Sequence, residues 1–384
     1  MVQESTGGAI NQNCPRFKGD RFPPVSAKRD GRTEGLRSRK AGGLSPRSGT
    51  YHPSPPPPLR LTAPARLPDA VAFAPASLSN LGPGFDALGL AVVGVGDHVE
   101  AWRMEEPGVT VEMAGGDPTI PTDPARNTAG RAAESVLAFA RAPFGVHLRV
   151  RKGIPLGSGI GGSAASAVAG AWAANALLHA PLPKAALVGA VLDGESVAAG
   201  ARHGDNVLPS LFGGLLLVSP SDPTEYRRLT LPSLPAIPLV LPHVTVLTRD
   251  ARAILPATVP LAHASAQAAD LAFLVNALQA GDTAAAGRFL MRDRLAEPFR
   301  AALVPPYEAI RRAALAAGAA GCALTGSGPA MFALPRDRSD EDAILAAMEA
   351  ACRDAGVGVT GFLLMVDTEG ARLLPPDTML PPPL

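Results

Sequence analysis

The stretch Ile154–Ser166, IPLGSGIGGSAAS, is uncharged, holds four glycines and three serines, and runs into an Ala-rich segment. A glycine loop that opens a helix lets backbone N–H groups approach an anion, and the helix N-terminus adds partial positive charge. Three phosphate-binding patterns compete for it. In GxxxxGK[ST], Gly157 and Gly162 have the right spacing, but Ser163 stands where the lysine belongs. In the dinucleotide pattern GxGxxG, Gly157, Gly159 and Gly162 match. The preceding strand, however, is alternating and basic where that fold buries an apolar one, and the first downstream acid is Asp193. The third pattern, PxxxGxGxSAxS, runs from Pro155 through Gly157, Ser158, Gly159, Gly161 and Gly162 and opens a helix at Ser163. A serine there offers its hydroxyl to Mg2+ or to a phosphate oxygen. A plain linker before a core helix is the bland alternative, but Gly-Ser linkers rarely alternate so tightly with Pro, Leu and Ile.

The surrounding chain has 384 residues, enough for two domains of ordinary size. Hydrophobic residues make up 47% but aromatics only 4%, so Ala, Val and Leu must fill the core. The net charge of +1 gives no general reason to expect nucleic acid or an anionic membrane as a partner. Three cysteines without a CxxC pair argue against a disulfide framework and for a reducing compartment. Residues 153–183 carry no Asp, Glu, Lys or Arg. Their helical part is nevertheless too short and too Ala-rich to span a bilayer, which needs about 20 apolar residues, so a buried helix is expected.

Residues 1–66 mix Gly, Pro, Ser and Arg without apolar periodicity and read as a disordered tail. An organellar transit peptide or an over-extended start site would look similar, although Glu4, Asp20, Asp30 and Glu34 and the many prolines count against the former. Residues 375–384 read as a second tail. Between them, strands are expected at 71–75, 98–104, 109–114, 145–153, 213–219, 244–249, 322–326, 330–335 and 360–366. Helices are expected at 124–142, 163–179, 184–199, 262–280, 281–291, 306–317 and 340–356. The Pro-rich run 220–242 reads as a crossing between two domains, 67–222 and 223–374. The mixture is α+β, not a regular βαβ alternation.

Two further glycine-bearing stretches flank the first. APASLSNLGPGFDALGLAV (74–92) opens the folded region, and LTGSGPAMFAL (324–334) lies near its end. With the central loop they resemble the three motifs of the GHMP kinase superfamily, over nearly all of 68–370. GARHGDNVLPSLFGG (200–214), TRDARAILP (248–256) and LMRDRLAEPFR (290–300) resemble signatures of its homoserine kinase family. The resemblance implies a two-domain fold, N-terminal ribosomal protein S5 domain 2-like and C-terminal ferredoxin-like, with the site in the cleft. It also implies MgATP as donor, L-homoserine as acceptor, O-phospho-L-homoserine as product, and a place in threonine biosynthesis. No nucleic acid and no membrane partner is expected, and a cytoplasmic enzyme is. A homodimer is one assembly left open.

The same resemblance assigns residues. The loop 155–163 and Gly326, Ser327 and Gly328 take the phosphates, and adenine lies near Asn127, which by itself reads equally as a helix-start residue. Mg2+ goes to Ser163 and Glu195. By itself Glu195, in an apolar helix, also reads as a solvated helix-face residue. Arg252 and Arg300 grip the substrate carboxylate, a task that suits the guanidinium fork. Asp86 faces the ammonium, and Asn80, His203 and Asn206 line the pocket. Thr248 is a weaker phosphate candidate, and Asp205 either orients His203 or pairs elsewhere. Asn206 is also the candidate catalytic residue, with Glu195 and Ser163: related kinases use an Asp with a Lys where this pattern has an Asn-containing HxDN stretch, so no catalytic base is evident. Many members read GLGSSAAS where this chain reads GIGGSAAS, so Gly162 leaves Ser163 without a twin. Another small-molecule kinase of the superfamily, with a mevalonate- or shikimate-type acceptor, is the alternative.

Overall fold

A computed structural model describes residues 66–115 and 118–382. The expected tail 1–66 and Cys14 thus lie, but for Arg66, outside the described residues.

The first half is a sheet backed by four helices. β1 (Ala70–Ser79) and β2 (Leu88–Met104) form a long antiparallel pair, followed by β3 (Gly108–Met113), α1 (Thr128–Ala140) and β4 (Gly145–Arg151). α2 (Gly162–Ala176), α3 (Val188–Ala199), α4 (Gly204–Phe212), β5 (Leu215–Val218) and β6 (Tyr226–Leu229) come next. β7 (Ile237–Pro242) begins the second half, with α5 (Thr248–Ala253), α6 (Leu261–Ala280), α7 (Thr283–Leu290), α8 (Glu297–Arg300) and α9 (Tyr307–Ala316). β8 (Ala319–Leu324), β9 (Met331–Pro335), α10 (Glu341–Asp354), β10 (Val359–Leu364) and β11 (Arg372–Leu374) complete it.

Two sheets result. The larger runs β11-β1-β2-β4-β3, with β5 joined to one end of β2 and β6 joined to β5. The smaller is β10-β7-β9-β8, antiparallel throughout. The larger sheet takes β6 and β11 from beyond the 222/223 boundary expected from sequence.

The uncharged helix behaves as its composition dictates. Eleven residues of α2, mostly alanine, are buried between β1, β2 and the helices α1 and α3. Each alanine methyl contributes only about 0.8 kcal/mol of burial. What small side chains provide is close approach: a Cβ on Gly170 would stand 2.7 Å from the Ala129 Cα of α1. Leu78, Leu88, Leu148, Leu192 and Leu208 supply the bulk of this core. Ile310, Ile344 and Met348 anchor a second cluster under the smaller sheet.

Three sequence expectations need correction. The run 220–242 is not only a crossing, since it contains β6 and the buried strand β7. Pro238 and Pro242 are tolerated because β9 pairs with β7 only at Leu239 and Val240, so neither proline sits in the doubly paired stretch. The strand expected at 244–249 does not form. Residues 244–247 belong to no helix or strand and Thr248 starts α5. Val246 is buried there, with its carbonyl against Gly157. The helix expected from 124 is divided. Asp123 caps a single 3-10 turn, and Asn127 then caps α1 by accepting from the N–H groups of Ala129 and Gly130.

Candidate active site

The three glycine-bearing stretches converge because glycines let their backbones touch. A Cβ on Gly159 would stand 2.7 Å from the carbonyls of Thr325 and Gly328, and one on Gly326 equally near the Gly159 carbonyl. Both residues have positive φ, +80° and +56°. Hydrogen bonds close the clasp: Thr325 Oγ1 donates to the Gly159 carbonyl and accepts from Ser79 N–H, and Gly326 N–H donates to the Ser79 carbonyl.

The same residues line a cavity of about 240 Å3. Its wall at one end is Pro155, Gly157, Ser158, Gly159, Gly161, Gly162 and Ser163, where α2 begins. That helix start has no side-chain cap, so its first N–H groups point to the cavity end unclaimed by any side chain. Glu195, one turn from the end of α3, is buried beside it and accepts a hydrogen bond from Ser163 Oγ at 3.0 Å. Burial pushes its carboxyl up to about 8, against the lowering effect of Ser163. Glu195 Oε2 and Ser158 Oγ are buried without a partner. Among the described residues no three His, Cys, Asp or Glu side chains gather to hold a metal. A cation at this end would rest on one carboxylate, one hydroxyl, water and its ligand's oxygens, the hard-oxygen set that Mg2+ prefers.

The opposite end carries charge. Arg252 of α5 and Asp86 form a bidentate pair at 3.0 and 2.9 Å, and His203 Nδ1 stands 4.0 Å from Asp86. Burial first, and then Arg252, push the His203 imidazole below its ordinary value, with Asp86 opposing. Arg300 of α8 is buried, donates to the carbonyls of Ala251 and Gly326, and lies over the Phe85 ring. Asp86 is held in a left-handed turn (φ +56°) by Asn80, whose Oδ1 accepts from Asp86 N–H while Nδ2 donates to the Gly326 carbonyl. Three more residues of that turn, Asn80, Leu81 and Gly82, also have positive φ. Such strain gathers where the surrounding structure must hold a side chain in one place.

Between the two ends lie Ser79, Asp205 and Asn206. Thr248 and Ser327 line the cavity too, as does Gly326. Gly328 does not line it, and Asn127 lines a neighbouring cavity of about 500 Å3 instead. That second cavity shares Leu156, Ser163 and Ala198 with the first. Asn127 is spent on the α1 cap and on the Pro121 carbonyl.

Sequence reasoning missed Ser79, Asp97 and Lys152. Lys152 is buried and bonded to Asp97, to the Gly162 carbonyl at 2.7 Å and to Ser166 Oγ at 2.9 Å. Asp97 also accepts from Gly153 N–H, Ile154 N–H and Ser166 Oγ. The signal was present: His147, Arg149 and Arg151 fall on the exposed phase of β4, while Lys152 continues the phase of buried Val146, Leu148 and Val150.

Known proteins share this family and fold. Residues 127–214 match the GHMP kinases N terminal domain and residues 274–354 the GHMP kinases C terminal domain. Homoserine kinase of Xylella fastidiosa is 42% identical over 82% of this chain and 96% of its own. The crystal structure of homoserine kinase from Cytophaga hutchinsonii superposes with a TM-score of 0.76 at 37% identity, over 79% of this chain and 97% of that one. The L. major mevalonate kinase, at 18% identity and a TM-score of 0.59 over 77% of this chain and 95% of its own, shares the fold.

Proposed function

The chain belongs to the homoserine kinase family of the GHMP kinases, and on that footing we propose that it transfers the γ-phosphoryl group of ATP to the side-chain hydroxyl of L-homoserine. The product is O-phospho-L-homoserine, an intermediate of threonine biosynthesis. The observation that carries this reading is a single cavity with an anion cradle at one end and an Asp86–Arg252–Arg300 cluster at the other.

Phosphoryl transfer needs little covalent help. It needs alignment of the two reactants and donors for the phosphate oxygens. The uncapped α2 N-terminus and the glycine loop receive the phosphates, and the base occupies the adjoining cavity beside Asn127 and Leu156. Ser163 and Glu195 would hold Mg2+, which would supply the charge neutralisation that a P-loop lysine gives elsewhere. Arg252 and Arg300 take the substrate carboxylate, and Asp86 takes the ammonium. His203, Asn80 and Asn206 shape the rest of the pocket. Mevalonate and shikimate also carry carboxylates, but neither has an ammonium for Asp86.

ADP release measured with homoserine, mevalonate, shikimate and no acceptor tests the assignment. Release that follows homoserine is expected; release that follows another acceptor overturns it. Ser163→Ala is expected to lose most turnover with ATP, and a near-normal rate would remove the cation from Ser163. No helix among the described residues is long and apolar enough to cross a membrane. The enzyme is proposed to work in the cytoplasm.

A further inference from the structure

The charged end of the cavity is assembled from segments far apart in sequence. The turn 80–86 carries Asp86, and the segment 290–300 carries Arg300. An amino acid hangs its carboxylate and its ammonium on one carbon, so a site that grips both reads the spacing between its own cation and anion directly. Misplacement by about 1 Å, caused by a residue far from the chemistry, can cost on the order of 10²-fold. The two segments must therefore be held in a fixed relation.

On the cavity side they meet at Gly326, whose carbonyl accepts from Asn80 Nδ2 and from Arg300. On the far side they meet at Gln267 of α6, which lies behind the cavity wall. Gln267 is 4% exposed, and its whole carboxamide is engaged. Nε2 donates to the Pro83 carbonyl of the turn at 3.0 Å and to Asp293 Oδ1 at 2.7 Å, while Oε1 accepts from Arg294 N–H at 2.9 Å. Asp293 passes the link on. Its carboxylate accepts from the N–H groups of Leu295, Ala296 and Glu297, and Glu297 begins the short helix α8 that ends in Arg300. The two backbones also touch here, since a Cβ on Gly82 (φ +69°) would stand 1.9 Å from the Leu290 carbonyl oxygen.

The partners dictate a carboxamide. Two acceptors and one donor converge on the side chain, and an amide offers N–H donors and a carbonyl acceptor together. A glutamate could not donate to Pro83 as a carboxylate and would set a second negative charge against Asp293. An apolar side chain would leave the Pro83 carbonyl and Arg294 N–H without their partner, a costly state in a buried place. Asp270, one turn further along α6, is a useful contrast. It pairs with Arg292 and Arg294, whose side chains are 49% and 34% exposed, and so grips the segment 290–300 alone. Gln267 joins that segment to the turn.

We propose that Gln267 is a positioning residue for the acceptor: by tying Pro83 to Asp293 and Arg294, it fixes the separation of Asp86 and Arg300. The proposal rests on the homoserine kinase reading above. The three partners of Gln267 lie outside the phosphate loop, so the ATP end is not held by it.

Steady-state kinetics test this, with homoserine and ATP varied in turn on wild type, Gln267→Met, Gln267→Glu and Asp270→Asn, beside their melting temperatures. Homoserine-dependent ADP release by wild type comes first; its absence would defeat the acceptor reading, and this proposal with it, before any variant is compared. Gln267→Met is expected to raise KM for homoserine at least fivefold, with KM for ATP within twofold of wild type. A purely structural role would lower the amount of folded enzyme, and so kcat and melting temperature, and leave both KM values unmoved. Gln267→Glu keeps the shape and the Arg294 contact, and it should show the same split should the first variant misfold. Asp270→Asn should leave both KM values within twofold. A rise in KM for homoserine below fivefold in a folded Gln267 variant, a change in its KM for ATP beyond twofold, or a change beyond twofold in Asp270→Asn overturns the proposal. So does failure of both Gln267 variants to fold, which would make the residue part of the core.

Discussion

Two Asp–cation pairs sit on either side of the glycine loop, and they differ in what is left over. In Asp97–Lys152 every atom is claimed. The carboxylate accepts from two backbone N–H groups, a serine and the lysine, and the ammonium has three acceptors. The side chains are 0% and 7% exposed. In Asp86–Arg252 the guanidinium keeps Nε without a partner, the pair lines the cavity, and the side chains are 16% and 34% exposed. A saturated pair has nothing to offer a ligand and serves as framework, locking the end of β4 to the first turn of α2. An unsaturated pair can exchange its partner for a substrate carboxylate and ammonium.

The largest expected effect breaks the saturated pair. Lys152→Met leaves Asp97 buried and uncompensated and should cost about 3–5 kcal/mol of stability, read from urea unfolding. A loss below about 1 kcal/mol would place Lys152 among ligand-binding groups instead of framework.

A carboxyl with no cation sharpens the comparison. Glu297 is buried and accepts from Tyr307 OH at 2.7 Å and Leu324 N–H at 3.1 Å, and burial raises it from 4.5 to about 7. Below about pH 4.5 the folded and unfolded chains both hold the proton. Between 4.5 and 7 the unfolded chain releases it first, so stability falls as pH rises, by about 3 kcal/mol in all, and levels off above 7. Glu297→Gln should remove that part of the slope, which melts at pH 5 and pH 7.5 would show; an unchanged slope refutes the assignment.

The third expectation separates function from framework. Arg252→Ala should raise KM for homoserine roughly 30–100-fold, about 2–3 kcal/mol, through loss of a charge-assisted contact. Because the pair is partly solvated, its melting temperature should stay within a few degrees of wild type. Unchanged KM would sever Arg252 from the substrate.

How much of this was legible follows from what each residue's neighbours in sequence reveal. The glycine loop and α2 announced themselves, because positive-φ glycines and a run of alanines have few other uses. The positions at the charged end were found through family motifs, since a lone Arg or Asp looks like any surface charge. Asp97–Lys152 was hidden because its partners lie 55 residues apart and the lysine follows directly on the basic face of β4. β7 was obscured by its own prolines, whose cost depends on pairing with β9 nearly a hundred residues later. Ser79 was invisible for the same reason: its partner Asn206 is brought to it by α4.

The order of synthesis bears on β11. β11 pairs Leu374 with Val71 and Arg372 with Phe73, so the edge of the first sheet is closed by residues far later in the chain than β1. The segment leading to it is sewn on as well: Met365 accepts from Val93 N–H, Asp367 bonds both Ala91 and Gly214, and Ala371 N–H donates to the Leu211 carbonyl. While the ribosome is still translating the second half, β1 therefore waits with one edge unpaired over Val71–Phe73. The first sheet is completed only once residues 372–374 have been made, which ties the protection of β1's edge to the second half of the chain.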